Sequence, residues 1–343
     1  MRSFLIDTAY RLAQASGINA VVRARQTSNS LLILCYHSVV ADRHWDDRFF
    51  YRNTVAAEDF QKQLEWIGKV FRPASLAELL DHLNGAKRLP RRSVVITFDD
   101  GYRNNLTIAA PILQKLGVPA LVSVATDYIG TDRILWSDEV NRRVYFWPRP
   151  TLPMPDSESG IETAPMPATR QGREELASAV RRRAKKFDQT QRDRYLDTLR
   201  QEPCPALDGA SKELLGFMTW EEVRQLTRRG IDVGSHSATH PILSRVLEAR
   251  LDWELRASKE RIEKELGRKC RAITYPNGGK DDVTEGVLTA AARAGYEVGF
   301  ALNNRFADLR GNRLAIERIN VPGQTPLAVF QCWASGLRSR LRL

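Results

Sequence analysis

The chain has 343 residues, 43% of them hydrophobic and 27% charged, with a formal net charge of +11 and a pI near 9.7. This length suits one large α/β barrel with an insertion, or two domains, and the composition is that of a soluble globular protein. No apolar run approaches the roughly eighteen residues of a spanning helix, and the cysteines (Cys35, Cys204, Cys270, Cys332) are too scattered for a disulfide framework, so free thiols are expected. The positive charge points to an acidic neighbourhood: anionic polysaccharide, membrane headgroups or nucleic acid.

In chain order, Phe4, Leu5, Ala9, Leu12 and Ala13 fall at helical spacing and stop near Gly17, with Asp7 and Arg11 interrupting any signal-peptide core. Residues 1–29 are therefore expected as a helical segment packed on the body. Leu31 to His37 is an apolar strand ending on a histidine, and 41–56 reads as a surface loop. A helix follows over Glu58–Val70. Ser75 and Glu78 make a capping box for a second, to Leu83. Val94 to Phe98 is a doubly buried strand that stops on Asp99, Asp100 and Gly101. A helix over 104–116 and a strand over Ala120–Ala125 come next.

The pattern breaks at 137–215, expected as an insertion. Its six prolines between Pro148 and Pro167 are expected to exclude regular structure there, and charge-rich helices are expected over 173–187 and 191–199. The Arg181–Lys186 cluster, like the basic tail 337–343 with Arg338, Arg340 and Arg342, reads as solvated surface. Regularity resumes with a Thr219-capped helix to Arg229, the strand Ile231–His236 and a long helix over Leu247–Leu266. The strand Ala272–Tyr275 breaks at Pro276-Asn277-Gly278-Gly279. A helix (282–294), strands (297–301 and 314–319) and a last helix (325–334) complete the chain. Alternating strands and helices mean parallel pairing through right-handed crossovers.

Four strands thus end on distinctive polar groups: His37, Asp99 with Asp100, His236, and the Pro-Asn-Gly-Gly turn. In a parallel barrel these ends share one rim. His236 and His240 are four apart, which on one helical turn sets both imidazoles at chelating distance, and one carboxylate added makes a metal site with open positions. His44 and His82 carry no assigned role.

Thr97-Phe98-Asp99-Asp100-Gly101 together with His236-Ser237-Ala238-Thr239-His240 resembles the first two motifs of the polysaccharide deacetylases, the NodB-homology or carbohydrate esterase family 4 group. The resemblance covers roughly Leu31 to Pro322 apart from the insertion. It implies a distorted (β/α)7 barrel over 30–336, with the partly helical insertion 137–215. It also implies removal of acetyl groups from N-acetylated sugars with a divalent metal, zinc first, cobalt or nickel as alternatives. Carried over by position, Asp99 resembles the general base, and Asp100, His236 and His240 the metal ligands. A bound cation can lower water's pKa to roughly 7 and polarise the acetyl carbonyl. Asp99 can take the water proton, and a backbone N–H after Pro276, that of Asn277, can face the oxyanion.

Two family features differ. The third motif usually reads Arg-x-Pro-Tyr, but this chain has Thr274 and Asn277 at the Arg and Tyr positions. Arg318 is the candidate substitute for orienting Asp99. No histidine follows His240, so the late Leu-x-His acid is missing. Tyr36-His37 instead resembles the early element of a permuted subgroup that includes poly-N-acetylglucosamine deacetylases, which makes His37 the acid.

The resulting expectation is a metal-dependent deacetylase acting on N-acetylhexosamine units of a polysaccharide or lipid-linked glycan. The alternatives are an O-acetyl esterase or cyclic-amide hydrolase on the same site, or a silent carbohydrate-binding barrel. The absence of an export signal places the expected step in the cytoplasm, with peripheral contact to membrane or anionic glycan. Nucleic acid ranks last because no specific motif supports it.

Overall fold

Long apolar runs that lack hydrophobic alternation fold as strands covered on both faces, and three such runs form the middle of the sheet. In this computed structural model, which describes residues 10, 16–24, 26–27, 29–41, 53–156 and 160–337, they are β1 (Ser30–Tyr36), β5 (Ser93–Phe98) and β6 (Ala120–Val124). The short β2 (Ser38–Val40) and β3 (Thr54–Ala56) pair with each other, and β4 (Arg72–Pro73) lies along β5. Further on come β9 (Asp232–Ser235), β10 (Ala272–Thr274), β11 (Val298–Phe300), β12 (Ala307–Asp308) and β13 (Ile319–Asn320).

The main sheet runs β11-β10-β9-β6-β5-β1, with every neighbouring pair parallel. Beyond β1, β12 pairs antiparallel with its start and β13 parallel with its end. At the far edge Phe300 forms a parallel bridge to Ile316. One short segment, 316–320, thus touches both edges and draws the curled sheet toward a ring, which leaves little open edge for pairing with other chains. The strand expected over 314–319 is reduced to these two contacts.

Side chains alternate along each strand, so the residues of one strand divide between two cores. Leu31 and Ile33 pack inward with Val95, Leu121 and Phe300, closed at one end by Leu76, Leu79 and Leu80 of the helix Leu76–Leu83. Leu32, Leu34, Tyr36, Ile96 and Phe98 face outward onto Phe60, Leu64 and Ile67 of the helix Ala57–Val70. Cys35, Thr97 and Asp99 continue the inward column. The inner face is thus apolar at the bottom and polar at the top.

The insertion has its own core, in which Val140, Val144, Leu152, Met154, Val180, Tyr195 and Leu196 are buried together. The prolines do not exclude regular structure. Thr151–Asp156 (β7) and Gly160–Pro165 (β8) form an antiparallel hairpin with Thr151 opposite Pro165, Pro153 opposite Thr163 and Pro155 opposite Ile161. The two-residue spacing puts all three prolines at positions whose N side faces away from the partner strand, where a missing N–H costs no ladder bond. The following helices span Arg170–Ala184, Gln189–Arg200 and Gly209–Leu215. Buried Arg192 ties the first two together, donating to the carbonyls of Ala184 (3.2 Å) and Phe187 (3.0 Å) where the first helix ends.

Other boundaries differ locally. The first turn of the helix expected over 104–116 is a π-type turn over Asn105–Ala109, continued by the helix Ala110–Leu116. Within the expected loop 41–56, Thr54–Ala56 is a buried strand and 42–52 lie outside the described residues, as do His44 and the tail 338–343. Phe4, Leu5, Ala9, Leu12 and Ala13 also lie outside them. Tyr10 and the helix Ile18–Ala24 are described, and Tyr10 and Val22 pack on Val329 and Cys332 of the last helix, Leu327–Ala334.

Candidate active site

The inward column of β5 ends on Asp99, and the chain then turns sharply. Asp100 has φ 76° and Gly101 φ 91°. A side chain at 101 would meet Val124 Cγ1 at 3.0 Å, so the turn that separates the two carboxylates needs glycine. Left-handed φ recurs at Ser237 (62°), His240 (58°) and Asn277 (65°), all non-glycine residues at the same rim. Such conformations each cost on the order of 1–3 kcal/mol and persist where surrounding contacts hold them.

Asp99 is clamped by Arg318 in a two-pronged ion pair, Oδ1 to Nη1 at 2.8 Å and Oδ2 to Nη2 at 2.7 Å. Arg318 is fully buried and also donates to Thr97 Oγ1 (3.1 Å) and the Ala301 carbonyl (3.2 Å). Burial by itself would raise the Asp99 pKa. Arg318 and, less strongly, His236 outweigh it, so the carboxyl is held well below its ordinary range. Asp99 is therefore an anion whose two oxygens are fixed in orientation.

Asp100 faces the two histidines. Its Oδ1 lies 3.3 Å from both His236 Nε2 and His240 Nε2, and the ligand atoms of all three lie within 4.8 Å of one another. The two histidines do not share a helical turn, as their spacing suggested; they flank an irregular loop after β9. Buried Glu254, on the helix Glu248–Leu266, builds that loop by accepting from the backbone N–H of Ala238 (3.0 Å) and Thr239 (2.8 Å) and from Arg250 (3.0 Å). Ser237 Oγ accepts from His240 N at 3.1 Å.

The donor set suits a divalent cation. His236 Nδ1 lies 2.8 Å from the Thr274 carbonyl and donates there, and Nε2, turned toward Asp100, is the nitrogen a cation would take. Burial raises the Asp100 pKa, but the hydrogen bonds from both histidines overcome this and keep it well below normal. For His236 burial lowers the pKa, while Asp99 and Asp100 together raise it above the usual imidazole value. Two imidazole nitrogens and a carboxylate oxygen converging on one point form a borderline-soft site of the kind zinc, cobalt or nickel accepts.

His37 lies beside Asp99, with ligand atoms of Cys35, His37 and Asp99 within 4.8 Å of one another. Its Nδ1 is buried and has no hydrogen-bond partner among the described residues, and burial lowers its pKa. Asn277 sits in the turn after β10. Its side chain is occupied, with Oδ1 accepting from Lys185 and Nδ2 donating to Asp282 at 2.6 Å. Its backbone N–H makes no hydrogen bond among the described residues.

A cleft of about 390 Å³ is lined by His37, Asp99, Asp100, His236, His240 and Asn277, so six of the seven expected site residues meet in one space. Arg318 lies beneath it, in contact with Asp99. A larger groove of about 1000 Å³, between the insertion and the barrel, reaches His240 but contains neither Asp99 nor His37. The two adjacent carboxylates line the smaller cleft. His82 has a structural task, its Nδ1 accepting from Leu89 N at 3.0 Å.

Two buried carboxylates that shape the site escaped sequence reading. Glu254 sits in a charge-rich helix and nothing local distinguishes it. Asp138 is buried, which pushes its pKa to about 7 although it accepts a 2.7 Å hydrogen bond from Tyr102. It could not be placed without knowing that the insertion folds over the rim.

The family model for polysaccharide deacetylase matches residues 86–147 and 184–299, together more than half of the chain. The poly-beta-1,6-N-acetyl-D-glucosamine N-deacetylase of Escherichia coli (strain K12) is 32% identical over 122 residues, 34% of this chain and 18% of that protein. The match therefore spans under a fifth of this relative's length. Among solved structures, the Streptococcus pyogenes deacetylase PplD in complex with acetate superposes with TM-score 0.57 at 18% identity, over 88% of this chain and 96% of that one. IcaB from Ammonifex degensii gives 0.56 at 19% identity, over 90% and 97%. These two likenesses show the curled-sheet fold.

Proposed function

The chain belongs to the polysaccharide deacetylase family, and from that premise we propose that it hydrolyses the acetamide of N-acetylhexosamine units in a polysaccharide or lipid-linked glycan. The observation that carries this reading is the pairing of a carboxylate clamped by an arginine, Asp99, with an adjacent carboxylate–bis-imidazole trio. Asp100, His236 and His240 would hold a divalent cation, zinc first. That cation supplies Lewis acidity toward the acetyl carbonyl and the attacking water.

Asp99 takes the proton of the attacking water. Arg318 keeps it ionised and fixes which lone pair faces the cleft, at the cost of lowering its basicity. His37, beside Asp99, delivers a proton to the departing amine nitrogen, which otherwise leaves as a poor anion. The Asn277 N–H is available to the oxygen that gains charge as the carbonyl becomes tetrahedral. The buried walls restrict water and strengthen each of these interactions.

The test is amine release from N-acetylglucosamine oligomers by chelator-stripped protein, with Zn²⁺, Co²⁺ or Ni²⁺ restored singly. Release that returns with the cation supports the reading. Stoichiometric cation without release from N- or O-acetylated glycans would leave a carbohydrate-binding barrel instead.

A further inference from the structure

Part of the insertion's basic cluster, though largely exposed, borders the cleft. Arg181, Arg182 and Lys185, at the end of the helix Arg170–Ala184 and just beyond it, line the same cleft as Asp99 and His236. Lys185 Nζ bonds Asn277 Oδ1 directly, so the cationic wall stands beside the turn assigned to the oxyanion. Arg182 is held on the cleft side by donation to Ser178 Oγ at 3.0 Å.

The negative groups on this cleft have close partners. Asp99 is matched by Arg318, Asp100 by two imidazoles, and buried Asp138 accepts from the Tyr102 hydroxyl and faces the Arg181 charge, while Asp282 beside Asn277 lies near Lys185. Arg182 and Lys185 therefore present positive charge to the cleft. Bringing a neutral sugar against them gains nothing and sheds their hydration. An anion gains charge-assisted hydrogen bonds, and the planar guanidinium fork matches a carboxylate or phosphate in particular.

We propose that the insertion selects glycans bearing an anionic group, a carboxylate or a phosphate ester, close to the N-acetyl unit that enters the cleft. This deepens the deacetylase reading and rests on it. Phosphate and carboxylate share the recognition chemistry, and the substrate panel separates them.

The experiment measures kcat/KM for amine release from three substrates of equal length. They are a neutral N-acetylglucosamine oligomer, an oligomer alternating N-acetylglucosamine with glucuronate, and an N-acetylglucosamine oligomer with a phosphate ester on its reducing end. At low salt one anionic substrate is preferred by about tenfold or more, in keeping with one or two charge-assisted contacts, and the preference shrinks as salt screens them. Arg182→Glu and Lys185→Gln each pull the ratio toward one, and Arg182→Lys restores part of it. Equal kcat/KM on all three substrates, or a preference indifferent to Arg182→Glu, would overturn the proposal while deacetylation stands. Release from none of the three would overturn both readings.

Discussion

Arg318 and Asp99 form a buried pair in which each charge depends on the other. Arg318→Lys keeps the charge but loses the two-pronged geometry, and kcat for amine release is expected to fall by about tenfold to a hundredfold with little change in KM. Arg318→Met leaves Asp99 buried and uncompensated, at a cost of roughly 3–5 kcal/mol, read as a lower urea midpoint. If Arg318→Lys were as active as the parent, Arg318 would not orient the base. His37 makes a separate prediction. Burial disfavours its imidazolium, so it loses its proton below the ordinary value of about 6.5. An acid must be protonated to act, so kcat/KM on amides falls as pH rises through that lowered pKa. His37→Gln should flatten this limb and slow amides more than activated esters, whose leaving groups need less help. A limb that survives the substitution unchanged would remove His37 from the acid role. The strand-end positions of Asp99 and His37 were legible because a terminated apolar run needs no tertiary knowledge. Arg318 was nameable only as a late-strand arginine, since its approach to Asp99 depends on how 316–320 closes the sheet.

The loop from His236 to His240 is held by an element some fifteen residues away, and the test belongs to that element. Glu254 accepts two backbone N–H groups of the loop, so Glu254→Gln, which turns a charged acceptor into a neutral one, is expected to weaken cation affinity by about 10–100-fold. Competition against a zinc-sensing dye reads this directly, and unchanged affinity would make Glu254 a stability residue alone. The spacing of the two histidines foretold that they meet but not how. A helical turn was the economical reading, whereas Ser237 and His240 take left-handed conformations that sequence disfavours and Glu254 sustains. The insertion hairpin shows the converse. Prolines normally argue against strands, yet at alternate positions of a two-stranded ribbon they meet no ladder bond. Register decides that, and register is not written in composition.

Across the whole molecule, the order of strands and helices was readable because parallel crossovers restrict topology so strongly. The descent of the insertion over the rim was not, because its contacts with the barrel are long-range and unpatterned. Arg181, Arg182 and Lys185 of the basic cluster gain a second meaning with that placement, since they also border the cleft. Among the described residues, no helix is long and apolar enough to cross a membrane. Acid stability reports on the site as a global property. The folded Asp99 pKa lies below its unfolded value of about 3.9, so its contribution is present above roughly pH 4 and is lost as pH falls toward the folded value. The urea midpoint is expected to drop as pH falls below about 4, with a shallower drop in Asp99→Asn. Parallel declines in the two proteins would mean that Asp99 is not the sensitive group.

The most direct measurement compares Asp99→Asn with the parent protein at equal bound cation, following amine release from an N-acetylated glycan oligomer. Asp99→Asn should hold one cation per chain through Asp100, His236 and His240 and lose turnover by about 10²–10⁴-fold, the contribution of a general base. Cation loss in Asp99→Asn, or turnover close to that of the parent, would contradict the division of labour between the two adjacent carboxylates.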